Sequence, residues 1–224
     1  MRILFIGNSH TYMNDMPELA RRMIEDATGD SCEVFMLAYS GRSLKWHMEE
    51  YFSERFNILH GRYDYCVIQE QAHPMGPEED TIEHATKIAE LCRKAGTVPV
   101  IFETWAEKVK PENQTEMNRR YRNLASKLNA KLAPVGEVWS KVLKSSDVEL
   151  YFRDSEHASP IGDYLTAMML TKVITGQLPK ESFSTAFDFT VPEQFQPVKE
   201  NIQAEVIQLD SEIVSMIRQL VSKE

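Results

Sequence analysis

Ile3-Leu4-Phe5-Ile6-Gly7-Asn8-Ser9-His10-Thr11 is the stretch from which the rest of the chain is read. Four apolar residues in a row, closed by glycine, are the pattern of a short strand buried on both faces. A serine directly after such a strand, and ahead of a helix, stands at the carboxyl end of a sheet. There its own backbone N–H, helped by the helix N-terminus, can point into a site. Asn8, Ser9 and Thr11 are equally suited to capping that helix.

Outward from this stretch the chain alternates. Met16, Leu19, Ala20, Met23 and Ile24 have helical spacing, and Thr28-Gly29-Asp30 ends that helix. Residues 32–38 read as a second strand, Ser40-Gly41-Arg42-Ser43 as a turn, and 44–59 as one helix. Residues 65–68 are a third strand. Pro74, Gly76 and Pro77 make 69–77 a loop. A helix over 78–95 stops at Gly96. The strand over 98–102 carries Pro99, which predicts an edge position or a non-bonding slot. A helix over 111–129, a strand over 131–135, a helix or helical turn over 135–143 and a helix opened by Pro160 and closed by Gly176 complete the pattern.

Strands separated by helices imply parallel βαβ units. The expected fold is therefore α/β: a three-layer α/β/α sandwich whose central parallel sheet has about five strands in the flavodoxin-like order 2-1-3-4-5. We expect one domain over 1–224, with a core of about 1–176 and a C-terminal extension over 177–224. In that extension 178–192 is irregular, and 197–221 is predicted helical on Val198, Ile202, Val206, Leu209, Ile213, Met216, Ile217 and Leu220. Such a helix either covers the helical layer or pairs with a second subunit, so monomer and homodimer both stay open. Ligands bind such sheets beyond the carboxyl ends of the strands, so functional residues should follow Ile6, Ala38, Ile68 and Phe102.

Composition narrows the function. The chain has 224 residues, 42% hydrophobic and 26% charged, values ordinary for a soluble globular protein. Its formal net charge of −9 gives nucleic-acid binding no electrostatic support. Cys32, Cys66 and Cys92 show no metal or disulfide spacing, and buried free thiols fit a reducing compartment. No run approaches the roughly 18 apolar residues of a membrane span. The N-terminal apolar run is too short for a signal-peptide core, and the expected location is cytoplasmic.

The second informative stretch is Asp154-Ser155-Glu156-His157-Ala158-Ser159-Pro160. A serine nucleophile needs a base, and the base needs a partner that fixes its tautomer. Asp and His three apart in a loop leading into a helix can supply both; alternatively Asp154 or Ser155 caps the helix and His157 is an ordinary loop residue. Glu156 is the rival acid.

Together these stretches resemble the SGNH (GDSL-like) hydrolases over roughly the first 175 residues. ILFIGNSHTY is similar to the block that carries the nucleophile after the first strand, and DSEHASPIGDYL to the last block, which carries acid and base. The turn at Ser40-Gly41-Arg42-Ser43 resembles the block whose glycine gives a backbone N–H to the oxyanion hole. The family's GxND is replaced by Gln69-Glu70-Gln71, in which Gln71 takes the asparagine's place. The resemblance implies Ser9, Asp154 and His157 as triad, an oxyanion hole from Ser9, Gly41 and Gln71, and no metal or cofactor. It also implies a small-molecule ester substrate, with an acetyl group on a carbohydrate as the favoured class.

Other residues carry paired expectations. His10 lines the site or lies on the surface of the first turn. Glu70 is a pocket carboxylate or, as favoured, bonds the turn around Gly41. Trp105 stacks on substrate or packs beneath its loop. His73 is a rim residue, and Arg119, Arg120 and Arg122 form a solvated helix face. Two other functions stay in view. Ser9 and Thr11 after a first strand resemble the phosphate loop of flavodoxins, which would make the chain an FMN-binding electron carrier. The third reading is a non-catalytic scaffold with the hydrolase fold.

Overall fold

The computed structural model describes residues 1–73, 75–189 and 205–224. β1 (Arg2–Gly7), β2 (Glu33–Ala38), β3 (Tyr65–Ile68), β4 (Val98–Phe102) and β5 (Lys131–Ala133) form one sheet in the order β2-β1-β3-β4-β5, every neighbouring pair parallel. Alternation along the strands divides the core. Ile3, Phe5, Val67, Val100 and Phe102 face one helical layer, and Leu4, Ile6, Cys66, Ile68 and Ile101 the other. Both sides of β1 are therefore dry, which is why its sequence is a continuous apolar run rather than an alternating one.

On the first face lie α2 (Met16–Thr28), α7 (Val135–Ser145) and α8 (Pro160–Thr175). On the second lie α3 (Leu44–Glu49), α4 (Tyr51–His60), α5 (Glu78–Ala95) and α6 (Asn113–Lys127). Between β1 and α2 run the short α1 (Ser9–Tyr12) and a 3-10 turn, Met13–Asp15.

Pro99 is not on an edge strand, since β4 lies between β3 and β5. It occupies the non-bonding slot instead: the β4–β5 ladder starts only at Val100, so the missing N–H faces no strand partner. The single helix expected over 44–59 is two helices, bent at Glu50 (φ −85°, ψ 36°). A straight helix would hold the Cα atoms of residues 47 and 54 roughly 10 Å apart along its axis. The bend lets the buried side chains of His47 and Glu54 meet.

The C-terminal expectation also changes. The segment 205–208 is not helical: β7 (Glu205–Gln208) pairs antiparallel with β6 (Ala186–Phe189), inside the stretch read as irregular. Val206 points to solvent while Ile207 packs on the core, a period of two that a four-residue run does not separate from a helical one. Val198 and Ile202 lie outside the described residues. The helix itself, α9 (Ser211–Ser222), buries Ile217 and Val221 against the α7/α8 layer. Lys172 of α8 donates to the last carbonyls of α9, Val221 O at 2.9 Å and Ser222 O at 2.7 Å, a cation at the negative end of the helix. This cover explains why α8 is apolar almost all round.

Candidate active site

The turn from β1 into α1 is built by its neighbours. Asn8 is the N-cap of α1: its Oδ1 accepts the His10 N–H at 3.1 Å and its Nδ2 donates to Arg42 O at 3.1 Å. Capping is thus Asn8's task, and Ser9 is left with a different partner. Thr11 Oγ1 donates to Gln69 Oε1 at 2.9 Å. With the Ser9 and Thr11 hydroxyls both engaged inside the protein, the turn does not offer them to a phosphate as the flavodoxin comparison requires.

Ser9 Oγ is 2.7 Å from His157 Nε2, and His157 Nδ1 is 2.7 Å from Asp154 Oδ2. The loop that carries this pair is tightly wound. Phe152 N–H donates to His157 O at 2.8 Å, Ser155 N–H to Phe152 O at 3.0 Å, and Ser155 takes a left-handed φ of +67°. The second carboxylate oxygen of Asp154 accepts the N–H groups of Glu156 and His157, each at 3.0 Å. Burial pushes the Asp154 carboxyl up, but these two amides and the His157 ring outweigh it, and the group titrates below its ordinary value. Ionised, Asp154 can only accept, so the hydrogen lies on Nδ1. Nε2 is then the basic nitrogen, facing the serine hydroxyl. Glu156, the rival acid, instead offers its backbone carbonyl to Trp105.

Gly41 is the third residue of a turn closed by Arg42 N–H to Tyr39 O at 3.1 Å, and its φ of +66° is the value such a turn demands there. Glu70 has the structural role. One oxygen accepts both Leu44 N–H, at 3.0 Å, and Gln71 N–H, at 2.7 Å, and the residue is buried. It therefore ties the Gly41 side of the site to the Gln71 loop. The Gln71 side chain itself makes no hydrogen bond among the described residues.

Trp105 does not present a face to substrate. It is fully buried, stacked on Trp139 at 4.0 Å, with Nε1 donating to Glu156 O at 2.8 Å, so it packs beneath the Asp154–His157 loop and supports it. His10 is not on the surface either. Its ring lies 4.6 Å from that of His157, 5.2 Å from His73 and 5.5 Å from Trp105. Burial, and then the neighbouring His157 and His73, hold His10 well below the ordinary histidine range. Burial lowers His73 to about 4 against the pull of Glu107. Both rings are thus neutral near pH 7 and place no positive charge beside the Asp154–His157 pair. Arg119, Arg120 and Arg122 pair with Glu78, Glu116 and Glu137 and stay on the helical surface.

Several supporting residues were not visible in the sequence pattern. Gln69 is fully buried, and its Oε1 accepts Asn8 N–H at 2.8 Å as well as the Thr11 hydroxyl. Its position, first after a buried strand, was the one available signal. Asn14, in the left-handed region at φ 49°, donates to Ala158 O at 3.0 Å and Asp163 Oδ2 at 2.7 Å, tying the serine segment to the residue after His157. Burial keeps the Asp163 carboxyl well above its ordinary value.

The five-stranded sheet with its helical layers is a fold shared by solved structures of lipases and esterases. A lipase/acylhydrolase from Enterococcus faecalis superposes with a TM-score of 0.61 at 17% identity, over 80% of this chain and 99% of that one. A putative GDSL-like lipase from Parabacteroides merdae gives 0.56 at 18% over 78% and 95%. An acetylxylan esterase from Geobacillus stearothermophilus gives 0.61 at 10% over 77% and 91%. No family model and no curated protein sequence matches the chain. At these identities the likeness is one of fold, and the chemistry must be argued from the residues. Among the described residues no cluster of three metal-ligating side chains occurs, and no helix is long and apolar enough to cross a membrane.

Proposed function

We propose that the chain is a serine ester hydrolase of the SGNH type, acting on small acyl esters with Ser9 as nucleophile, His157 as general base and acid, and Asp154 as the group that orients it. The observation that carries this reading is the unbroken hydrogen-bonded chain Ser9–His157–Asp154, joining two loops 145 residues apart in sequence at the carboxyl end of the sheet. His157 Nε2 takes the Ser9 proton as Oγ attacks the ester carbonyl. The oxyanion is stabilised by the N–H groups of Ser9 and Gly41 and by the Gln71 side-chain amide. Losing one such donor typically costs on the order of 10²–10³ in rate. The protonated His157 then gives its proton to the departing alkoxide. The same ring next deprotonates the water that releases the acid, and Ser9 is regenerated. Side chains, backbone N–H groups and one water carry each of these steps.

Acetyl esters of carbohydrates are the favoured substrate class, supported by the acetylxylan esterase among proteins of this fold. The chain is read as one domain, working in the reducing cytoplasm that three free buried cysteines suit. The deciding experiment is fluorophosphonate labelling followed by intact mass. One adduct on the wild type, absent in Ser9→Ala, supports the mechanism; a folded wild type that takes no adduct and cleaves no acyl ester refutes it.

A further inference from the structure

A second ionisable pair lies behind the serine turn, and the mechanism above does not use it. His47 of α3 and Glu54 of α4 are almost wholly removed from solvent, at 0% and 1% exposure. His47 Nδ1 meets a Glu54 carboxylate oxygen, and its Nε2 lies 2.8 Å from Gly7 O. A carbonyl only accepts, so Nε2 carries a hydrogen and donates it. The same peptide unit is held from its other side, where Asn8 N–H donates to Gln69 Oε1 at 2.8 Å. Gly7 O also accepts the Tyr39 N–H at 3.1 Å, so the carbonyl of the Gly7–Asn8 peptide is held by backbone and by His47, and its N–H by Gln69, buried side chains from two different elements. Gly7 has no side chain to act through. A Cβ there would overlap Gln69 Oε1 and Thr11 Oγ1, so the peptide itself is the handle. His47 also sits one turn into the helix that starts after the Gly41 turn, its N–H on Ser43 O at 3.2 Å. It therefore couples the two backbone segments assigned to the oxyanion hole.

Burying two ionisable side chains in a helix–sheet interface is costly where apolar residues of similar volume would fill the space. We propose that His47 and Glu54 are positioning residues that fix the Gly7–Asn8 peptide and so aim the Ser9 N–H and Oγ for acyl transfer; the inference rests on the serine-hydrolase reading. Neither side chain touches the reacting atoms. Rotation of this peptide displaces the nucleophile, and a displacement of about 1 Å can cost on the order of 10²-fold in rate.

The test compares wild type, His47→Leu, His47→Gln, His47→Asn and Glu54→Gln by near-UV circular dichroism, by kcat and KM on p-nitrophenyl acetate, and by the rate of fluorophosphonate labelling. His47→Leu should lower kcat and labelling by roughly 10²-fold with KM little changed. His47→Gln puts an N–H where Nε2 stood and should restore most of the rate, whereas the shorter His47→Asn should not. Glu54→Gln replaces a carboxylate with a weaker, neutral partner for the ring and should fall between wild type and His47→Leu in kcat and in labelling rate. A folded His47→Leu that labels as fast as wild type overturns the inference. So does a His47→Gln no faster than His47→Asn, the comparison that decides if the leucine variant does not fold. A wild type that takes no probe refutes the serine reading and the inference with it; a reactive wild type beside an equally reactive His47→Leu refutes the inference alone.

Discussion

Replacing Glu103 with glutamine should stabilise the protein at neutral pH, and the gain should grow with pH. Glu103 follows β4, is fully buried, and leaves Oε2 without a partner among the described residues; Oε1 accepts from the Asn118 amide at 2.7 Å and lies 3.4 Å from Gln114 Nε2. Burial, and then the Glu137 carboxylate, push its carboxyl up to about 9 from an ordinary value of 4.5. At pH 7 the native protein therefore holds a proton there that the unfolded chain has released. The native state binds more protons, so this residue subtracts stability as pH rises above 4.5, until the native carboxyl also ionises near 9. At 1.36 kcal/mol per pH unit, the two and a half units between 4.5 and 7 amount to about 3 kcal/mol. Glutamine keeps the shape and is neutral in both states, so it removes that penalty. Urea unfolding of both proteins at pH 5, 7 and 8.5 reads the effect: near-equal midpoints at pH 5 and a widening gap above it. A difference that does not change with pH, or a glutamine variant less stable at pH 8.5, would refute the assignment of a neutral buried carboxyl.

Three further outcomes follow from the site. In Asp154→Asn the amide oxygen can keep the two loop N–H groups while its nitrogen faces His157 Nδ1, forcing the hydrogen onto Nε2; kcat on an acyl ester should fall by about 10⁴ with the circular dichroism spectrum unchanged. Burial holds His73 at about 4, below its ordinary 6.5, so the stability tied to its neutral form is complete above 6.5 and lost as pH falls toward 4. Between pH 7 and 5 this residue should account for about 2 kcal/mol, and His73→Asn should flatten the decline in urea midpoint over that range. Trp105→Phe keeps the stack on Trp139 but strands the Glu156 carbonyl, for about 1 kcal/mol, whereas Trp105→Ala should cost about 3–5 kcal/mol by urea unfolding. Both should lower kcat more than they change KM, because Trp105 supports the acid–base loop rather than substrate.

Much of the architecture was legible in the chain itself, because the signals are local. An apolar run closed by Gly7, helices stopped at Gly29, Gly96 and Gly176, and Pro160 at a helix start each depend on backbone conformation within a turn or two. The alternation of strands and helices then leaves few topologies, and the order 2-1-3-4-5 is the one observed. The same logic put Ser9 at the carboxyl end of the sheet, while the Asp154–His157 stretch was legible only as a loop leading into a helix. The spacing of Asp154 and His157 in sequence already allowed the acid–base pair to form locally.

What the chain did not reveal depends on contacts between distant segments. Gln69 and Gln71 are the same residue type two positions apart, yet only packing decides that Gln69 is buried against the serine turn. Whether Trp105 faces substrate or Trp139 is likewise settled by helix α7, some thirty residues further on. The bend at Glu50 has no glycine or proline to announce it and serves the meeting of His47 with Glu54. The segment 205–208 becomes a strand because a second one lies beside it, not because of its own propensity. Periodicity records which face of an element is apolar. It cannot record which neighbour that face meets, or where a buried polar group finds its partner, since both are properties of the assembled layers.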